Sequence, residues 1–127
     1  MEKIALEGTE ERPSVILDKT TGKFEIAGKS YMEDVATFYH EIIDWLEDYG
    51  KEPNALTVFE FRLDYRNTSS SKMIIDVIEI LHNINKSGHD VLVKWCYYAD
   101  DEDIKQIGRD FSEIYQLPFV FDCTDSF

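Results

Sequence analysis

The stretch TVFEFRLDYRNTSSSKMIID, residues 57–76, changes its hydrophobic period halfway along and decides the fold. Apolar and polar residues alternate as far as Tyr65, which is the period-two pattern of a half-buried strand. From Ile74 onward, apolar residues recur at intervals of three and four, as in a helix that packs one stripe against a core: Ile74, Val77, Ile78, Leu81 and Ile84. A strand that leads through a polar hinge into a helix is therefore the predicted centre of the domain.

Short polar side chains fill the hinge between the two patterns: Asn67, Thr68, Ser69, Ser70 and Ser71. Such side chains accept hydrogen bonds from the N–H groups that a helix start leaves without intrahelical partners. The positive end of the helix dipole also accommodates negative charge there. The run predicts a helix N-terminus, and on the residues alone it fits a simple capping sequence as well as a functional site.

The patterns on either side of this centre predict an α/β domain. They indicate strands at 3–9, 14–18, 23–27, 91–98 and 119–121, and two further helices that end at Tyr49 and Tyr115. Asp34 caps the first of these helices, Asp100 or Asp101 caps the last, and residues 122–127 form a frayed tail.

The central strand carries charge on one face, so helices are expected on the other face only. Its polar face contains Glu60, Arg62 and Asp64. We predict a single domain over residues 1–127, with a mixed sheet and three helices on one side.

Composition excludes several classes of protein. Acidic residues outnumber basic ones by 26 to 13, and the net charge of −13 argues against direct binding of nucleic acid. The two cysteines, Cys96 and Cys123, are too few for a disulfide framework and are not spaced as metal ligands. No signal peptide, membrane-spanning run, EF-hand loop or phosphate-binding glycine motif occurs. We expect a cytoplasmic protein without cofactor, metal or membrane insertion.

The three histidines do not indicate catalysis. His40, His82 and His89 have no nucleophile at a spacing that predicts a catalytic pair, and all three are interpreted as surface residues. No catalytic residue is predicted.

Helical phase separates the four hydroxyls at the start of the central helix. Ser70 and Ser71 fall beside the apolar stripe, whereas Thr68 and Ser69 fall on its outer flanks. Thr68 and Ser69 are therefore the hydroxyls predicted to be accessible to another protein. A phosphate there favours the helix by about 0.3 to 1 kcal/mol, so a phosphorylation switch would act on a docked partner and would not unfold the helix.

Three segments together resemble the SiaC-type regulatory phosphoproteins: GKSYMED at 28–34, IIDWLEDY at 42–49 and LDYRNTSSSK at 63–72. The resemblance covers nearly the whole chain. It implies a fold like the STAS domain of SpoIIAA-type anti-sigma-factor antagonists, and a partner switch without enzymatic activity. By this resemblance a serine/threonine kinase phosphorylates Thr68, with Ser69 as the alternative acceptor, and a PP2C-type phosphatase removes the phosphate.

The resemblance also implies an effector. The unmodified form would bind and activate a diguanylate cyclase, and so control cyclic di-GMP and biofilm formation or aggregation in a bacterium. The implied docking surface consists of Tyr65, Arg66, Asn67, Thr68, Ser69 and Ser70. Met32 and Arg66 depart from the family pattern, which has proline and an apolar residue at these positions, and Arg66 could pair with a phosphate.

Two alternatives remain open from the sequence. The first is an anti-sigma-factor antagonist with the same fold but a different partner. The second is a small enzyme or ligand-binding domain that uses the corner formed by Asp64, Asn67 and Thr68, which would require an apolar pocket lined by convergent polar groups.

Overall fold

A six-stranded sheet forms the framework of the computed structural model, which describes residues 2–28, 35–63 and 68–124. The strands are β1 (Ile4–Leu6), β2 (Ser14–Asp18), β3 (Lys23–Gly28), β4 (Leu56–Leu63), β5 (Asp90–Tyr98) and β6 (Phe119–Thr124). The helices are α1 (Val35–Tyr49), α2 (Thr68–Lys86) and α3 (Glu102–Tyr115). The predicted order of elements is confirmed.

The strands lie in the sheet in the order of the chain, from β1 to β6. The first three are antiparallel neighbours, and β3, β4, β5 and β6 are parallel. One helix connects each parallel pair. Because parallel crossovers are right-handed and all three advance in the same direction, the helices lie on one face of the sheet.

Burial along β4 confirms that only one face is covered. Thr57, Phe59, Phe61 and Leu63 are buried, whereas the residues between them are half-buried. The predicted mixed sheet with three helices on one face is correct. We call the other side the open face; it carries the charged side chains of β3, β4 and β5.

Helices α1 and α2 each pack an apolar stripe against the core. One buried residue of α1 was not predicted. Over residues 72–86 of α2, where side-chain burial is described, the buried residues are the five of the predicted stripe: Ile74, Val77, Ile78, Leu81 and Ile84. For α1, the period of the sequence predicts a stripe of Val35, Phe38, Ile42, Trp45, Leu46 and Tyr49. Ile42, Leu46 and Tyr49 are buried and Phe38 and Trp45 are half-buried, whereas Tyr39, which this stripe omits, is fully buried. Tyr39 is three residues before Ile42 and seven before Leu46, so it shares their face of the helix.

Within the described residues, two strand boundaries differ from the prediction by more than one residue. β1 ends at Leu6 and not at residue 9, because Thr9 belongs to a turn in which its N–H donates to the carbonyl of Arg12 at 2.9 Å. β6 continues to Thr124, so the predicted frayed tail is wrong for residues 122–124. These residues pair with β5, which extends to Tyr98 and supplies backbone partners for them.

Candidate functional site

The hydroxyl run follows the carboxyl end of β4, on the side of the sheet where β3 also ends. β3 ends at Gly28 and β4 at Leu63, and these two residues are register partners. Helix α2 then begins at Thr68, so Thr68, Ser69 and Ser70 form its first turn, as predicted. Tyr65, Arg66 and Asn67 belong to the predicted docking surface and lie outside the described residues, as do Met32 and the predicted cap Asp34.

The first turn of α2 contains no acidic residue, in contrast to that of α3. In α3 the carboxylate of Asp101 accepts a hydrogen bond from the N–H of Ile104 at 3.2 Å, and Glu102 and Asp103 follow. Carboxylates of this kind offset the positive end of a helix dipole. Because α2 has no acidic residue of its own in this turn, the turn can accept an added negative charge such as a phosphate.

One ion pair lies on the outer face of α2, one turn beyond the hydroxyls. The ammonium of Lys72 is 3.5 Å from a carboxylate oxygen of Asp76, and their side chains are 74% and 35% exposed. Lys72 and Lys86 are the two basic residues of α2, and Lys86 lies in its last turn. Lys72 is therefore the cation of α2 that lies nearest to the hydroxyl run. Lys72 lies four residues after Thr68 and four before Asp76, and its spacing to Asp76 is that of a helical ion pair, a signal that the sequence already contains.

Helices α2 and α3 are joined by polar contacts. The Nδ1 atom of His82 is 2.8 Å from the carbonyl oxygen of Tyr115, and the Tyr115 hydroxyl donates to Glu79 at 3.2 Å. Burial raises the pKa of Tyr115, and the hydrogen bond to the Glu79 carboxylate raises it further. His82 was predicted to be a surface residue, and this prediction is wrong: it is half-buried between the helices, 33 residues away from its partner in sequence.

The surface prediction is confirmed for His40 and is wrong for His89. His40 is exposed and lies 3.2 Å from Asp44 on α1. His89 is half-buried, and its Nδ1 atom is 3.2 Å from the Ser87 hydroxyl. That hydroxyl donates to the carbonyl of Ile84 at 2.7 Å, so it serves the turn that ends α2. This turn is at the opposite end of α2 from the hydroxyl run.

Shallow cavities lie beside the described parts of the helices. One, of about 260 Å³, lies between α1 and the second half of α2, with Ile80 and Ile84 in its lining. Another, of about 310 Å³, is lined by Ala36, Thr37 and His40 at the start of α1. The ligand-binding alternative concerns Asp64 and Asn67, which are outside the described ranges, and it stays a prediction.

Within residues 2–28, 35–63 and 68–124, no three histidine, cysteine or acidic side chains converge in a way that could hold a metal ion. In the same ranges, no helix has both the length and the apolar character needed to cross a bilayer.

Comparison with known proteins identifies the family. Residues 6–123 match the model of the SiaC family of regulatory phosphoproteins. An uncharacterised protein of Pseudomonas aeruginosa strain UCBPP-PA14 is 27% identical over 125 residues, which cover 98% of this chain and 99% of that protein.

Solved structures of SiaC have the same fold. Apo-SiaC from Pseudomonas aeruginosa is 27% identical and superposes with a TM-score of 0.86 over 97% of this chain and 100% of that one. SiaC from the same organism, in a complex where it is the activator of the diguanylate cyclase SiaD, is 26% identical. That comparison gives a TM-score of 0.87 and covers 95% of this chain and 99% of the other. Sequence and fold thus agree, and the chain belongs to the SiaC family of regulatory phosphoproteins.

Proposed function

We propose that this protein is a phosphorylation-controlled partner switch whose unmodified form binds and activates a diguanylate cyclase. The observation that carries the proposal is the match over 95% of the chain to SiaC in complex with the cyclase that it activates. The protein would act by binding and not by catalysis, and its output would be cyclic di-GMP, with effects on biofilm formation or aggregation.

Thr68 is the proposed acceptor of the phosphate, with Ser69 as the alternative. Support comes from the position of both residues in the first turn of α2, where a phosphate meets the positive end of the helix dipole. A serine/threonine kinase would add the phosphate and a PP2C-type phosphatase would remove it. We place the cycle in the cytoplasm, where the nucleoside triphosphates that a kinase and a cyclase consume are available.

The phosphate would act on the docked partner and not on the fold. It adds about 1.5 to 2 negative charges, and at a helix start it contributes about 0.3 to 1 kcal/mol in favour of the helix. At an interface, an unpaired or desolvated charge costs several kcal/mol. Since 1.4 kcal/mol is a tenfold change in affinity, such a cost is sufficient to release the cyclase. Tyr65, Arg66, Asn67, Thr68, Ser69 and Ser70 would form the surface from which it is released.

The proposal is tested by isolating the protein from its native cell with its bound partners. Intact-mass spectrometry followed by peptide mapping should find a population carrying one phosphate at Thr68 or Ser69, and a diguanylate cyclase should copurify with the unphosphorylated population. Recovery of an anti-sigma kinase in place of a cyclase would overturn the proposal in favour of an anti-sigma-factor antagonist.

A further inference from the structure

Lys72 lies midway between two positions that can offer it a negative charge. Thr68 is four residues before it and Asp76 is four residues after it, and residues four apart are neighbours on a helix surface. In the structure of the unmodified protein the ammonium of Lys72 is 3.5 Å from Asp76. Both side chains reach solvent, and that of Lys72 is 74% exposed. An exposed lysine on a flexible stem can change partner without rearranging the core.

A phosphate on Thr68 would compete with Asp76 for this lysine, and two effects favour the phosphate. Its charge is about −1.5 to −2, against −1 for the carboxylate. An acid that precedes its lysine by four residues forms the better helical ion pair, because this order agrees with the helix dipole. Asp76 follows Lys72, and thus forms the weaker arrangement.

Lys72 is the cation of α2 that can reach a phosphate on Thr68, because Lys86 lies in the last turn of the helix. Asp76 and Glu79 follow Lys72 on the outer part of the helix, and Tyr115 of α3 donates to Glu79. The chain as a whole has a net charge of −13, which disfavours an added anion that no nearby cation offsets. Arg66 is a second candidate cation by its position in sequence, so Arg66→Gln is compared with Lys72→Gln.

We infer that Lys72 exchanges Asp76 for the phosphate when Thr68 is phosphorylated, and that it acts as a positioning residue that holds the phosphate against the outer face of α2. The inference rests on the proposed function, since it concerns the same phosphate. It adds a residue that decides where the phosphate points and how much of its charge is presented to a partner.

The experiment measures the second pKa of the phosphate by ³¹P NMR titration at low ionic strength. Phosphothreonine is incorporated at position 68 during synthesis of the full chain, so no kinase is needed. Lys72→Gln should raise this pKa by about 0.2 to 0.7 unit, the range expected for loss of one exposed ion pair. Lys72→Arg should restore it. Lys86→Gln removes the other lysine of α2, in its last turn, and should leave the pKa unchanged.

A double-mutant cycle distinguishes exchange of partners from a general charge effect. Asp76→Asn frees Lys72 and should lower the phosphate pKa, and this effect should become smaller in the Lys72→Gln background. The inference is overturned if Lys72→Gln shifts the pKa no more than Lys86→Gln does, or if Asp76→Asn has the same effect in both backgrounds. A shift that occurs with Arg66→Gln and not with Lys72→Gln would likewise overturn it.

Failure of the inference about Lys72 can be distinguished from failure of the proposed function. Absence of phosphate on Thr68 in the native cell, or failure to recover a cyclase, would contradict the switch and leave the titration unaffected. A titration without a Lys72 effect would contradict the inference and leave the switch intact.

Discussion

The indole N–H of Trp95 on β5 donates to the main-chain carbonyl of Ile104 on α3 at 2.8 Å. This bond is possible because α3 approaches the sheet closely at Gly108. A Cβ atom at Gly108 would lie 2.5 Å from the Cδ1 and Nε1 atoms of Trp95. The close approach of helix to ring thus depends on the missing side chain, and it fixes α3 beside the parallel strands.

The first prediction concerns Gly108→Ala. The added methyl group should push α3 away from Trp95 and lower the free energy of unfolding by about 1 to 3 kcal/mol, the usual cost of overpacking a core. At an open helix position the same change would stabilise by up to about 1 kcal/mol, so the sign of the effect is diagnostic. Urea unfolding measures it, and Arg109→Ala, at an exposed position of the same helix, is the control. A Gly108→Ala protein as stable as the original would contradict the close contact.

The second prediction concerns His82→Ala. His82 supplies a partner to the carbonyl of Tyr115, which is the last residue of α3 and has no intrahelical donor for that group. Loss of the imidazole should therefore cost about 1 to 2 kcal/mol in the free energy of unfolding. His40→Ala is the matched control, because His40 is exposed and its contact with Asp44 lies at the surface, where such contacts are worth little. Equal stability of the two variants would show that His82 does not hold α3.

The third prediction concerns Glu25 and Glu60, which are register partners on the open face. Their carboxyl groups share a hydrogen bond, Lys23 lies 3.2 Å from Glu25, and Lys94 lies 3.4 Å from Glu60. Burial raises the pKa of Glu25 above its ordinary value near 4.5, and the hydrogen bond to Glu60 raises it further. The hydrogen bond from Glu25 lowers the pKa of Glu60, against the effect of burial.

The raised pKa of Glu25 and the lowered pKa of Glu60 determine how the free energy of unfolding depends on pH. Between pH 4.5 and the raised pKa of Glu25, the folded protein binds more protons than the unfolded chain, so Glu25 makes stability fall as pH rises through that interval. Glu60 acts oppositely below pH 4.5, where the stability that it contributes is lost as pH falls through its lowered pKa.

Glu25→Gln should remove the fall in stability above pH 4.5 and leave the variant more stable than the original protein at pH 7, by a few tenths of a kcal/mol after solvent screening. Urea unfolding between pH 4 and 8 measures both effects. Glu41→Gln, on the exposed surface of α1, is the control for loss of one carboxylate. A Glu25→Gln profile parallel to that of the original protein would contradict the shared hydrogen bond.

Much of the fold is predictable from local patterns. The change of hydrophobic period between residues 63 and 74 predicted β4 and α2. The charged face of β4 predicted that helices cover only one side of the sheet. The last part of β6 was missed because Asp122 interrupts its apolar pattern, and its strand conformation depends on pairing with β5. Local sequence contains no information about that pairing.

The features of the site that depend on residues close together in the sequence were predictable. The position of the hydroxyl run at the start of α2 followed from the sequence, and the ion pair between Lys72 and Asp76 has a spacing that the sequence contains. The contact between His82 and Tyr115 was not predictable, because it joins residues that are brought together by the packing of α2 on α3. The roles of Tyr65, Arg66, Asn67, Thr68, Ser69 and Ser70 in docking remain a prediction.

Control of cyclase binding by phosphorylation is tested by the binding of the protein to a purified diguanylate cyclase from the same cell. Isothermal titration compares the unmodified chain, the chain with phosphothreonine at position 68, and the variants Thr68→Ala and Thr68→Asp. The phosphorylation switch requires that the unmodified chain binds and activates the cyclase, and that the phosphorylated chain binds at least about tenfold more weakly, a loss of about 1.4 kcal/mol or more. Equal binding by the modified and unmodified chains, together with equal binding by Thr68→Ala and Thr68→Asp, would contradict it.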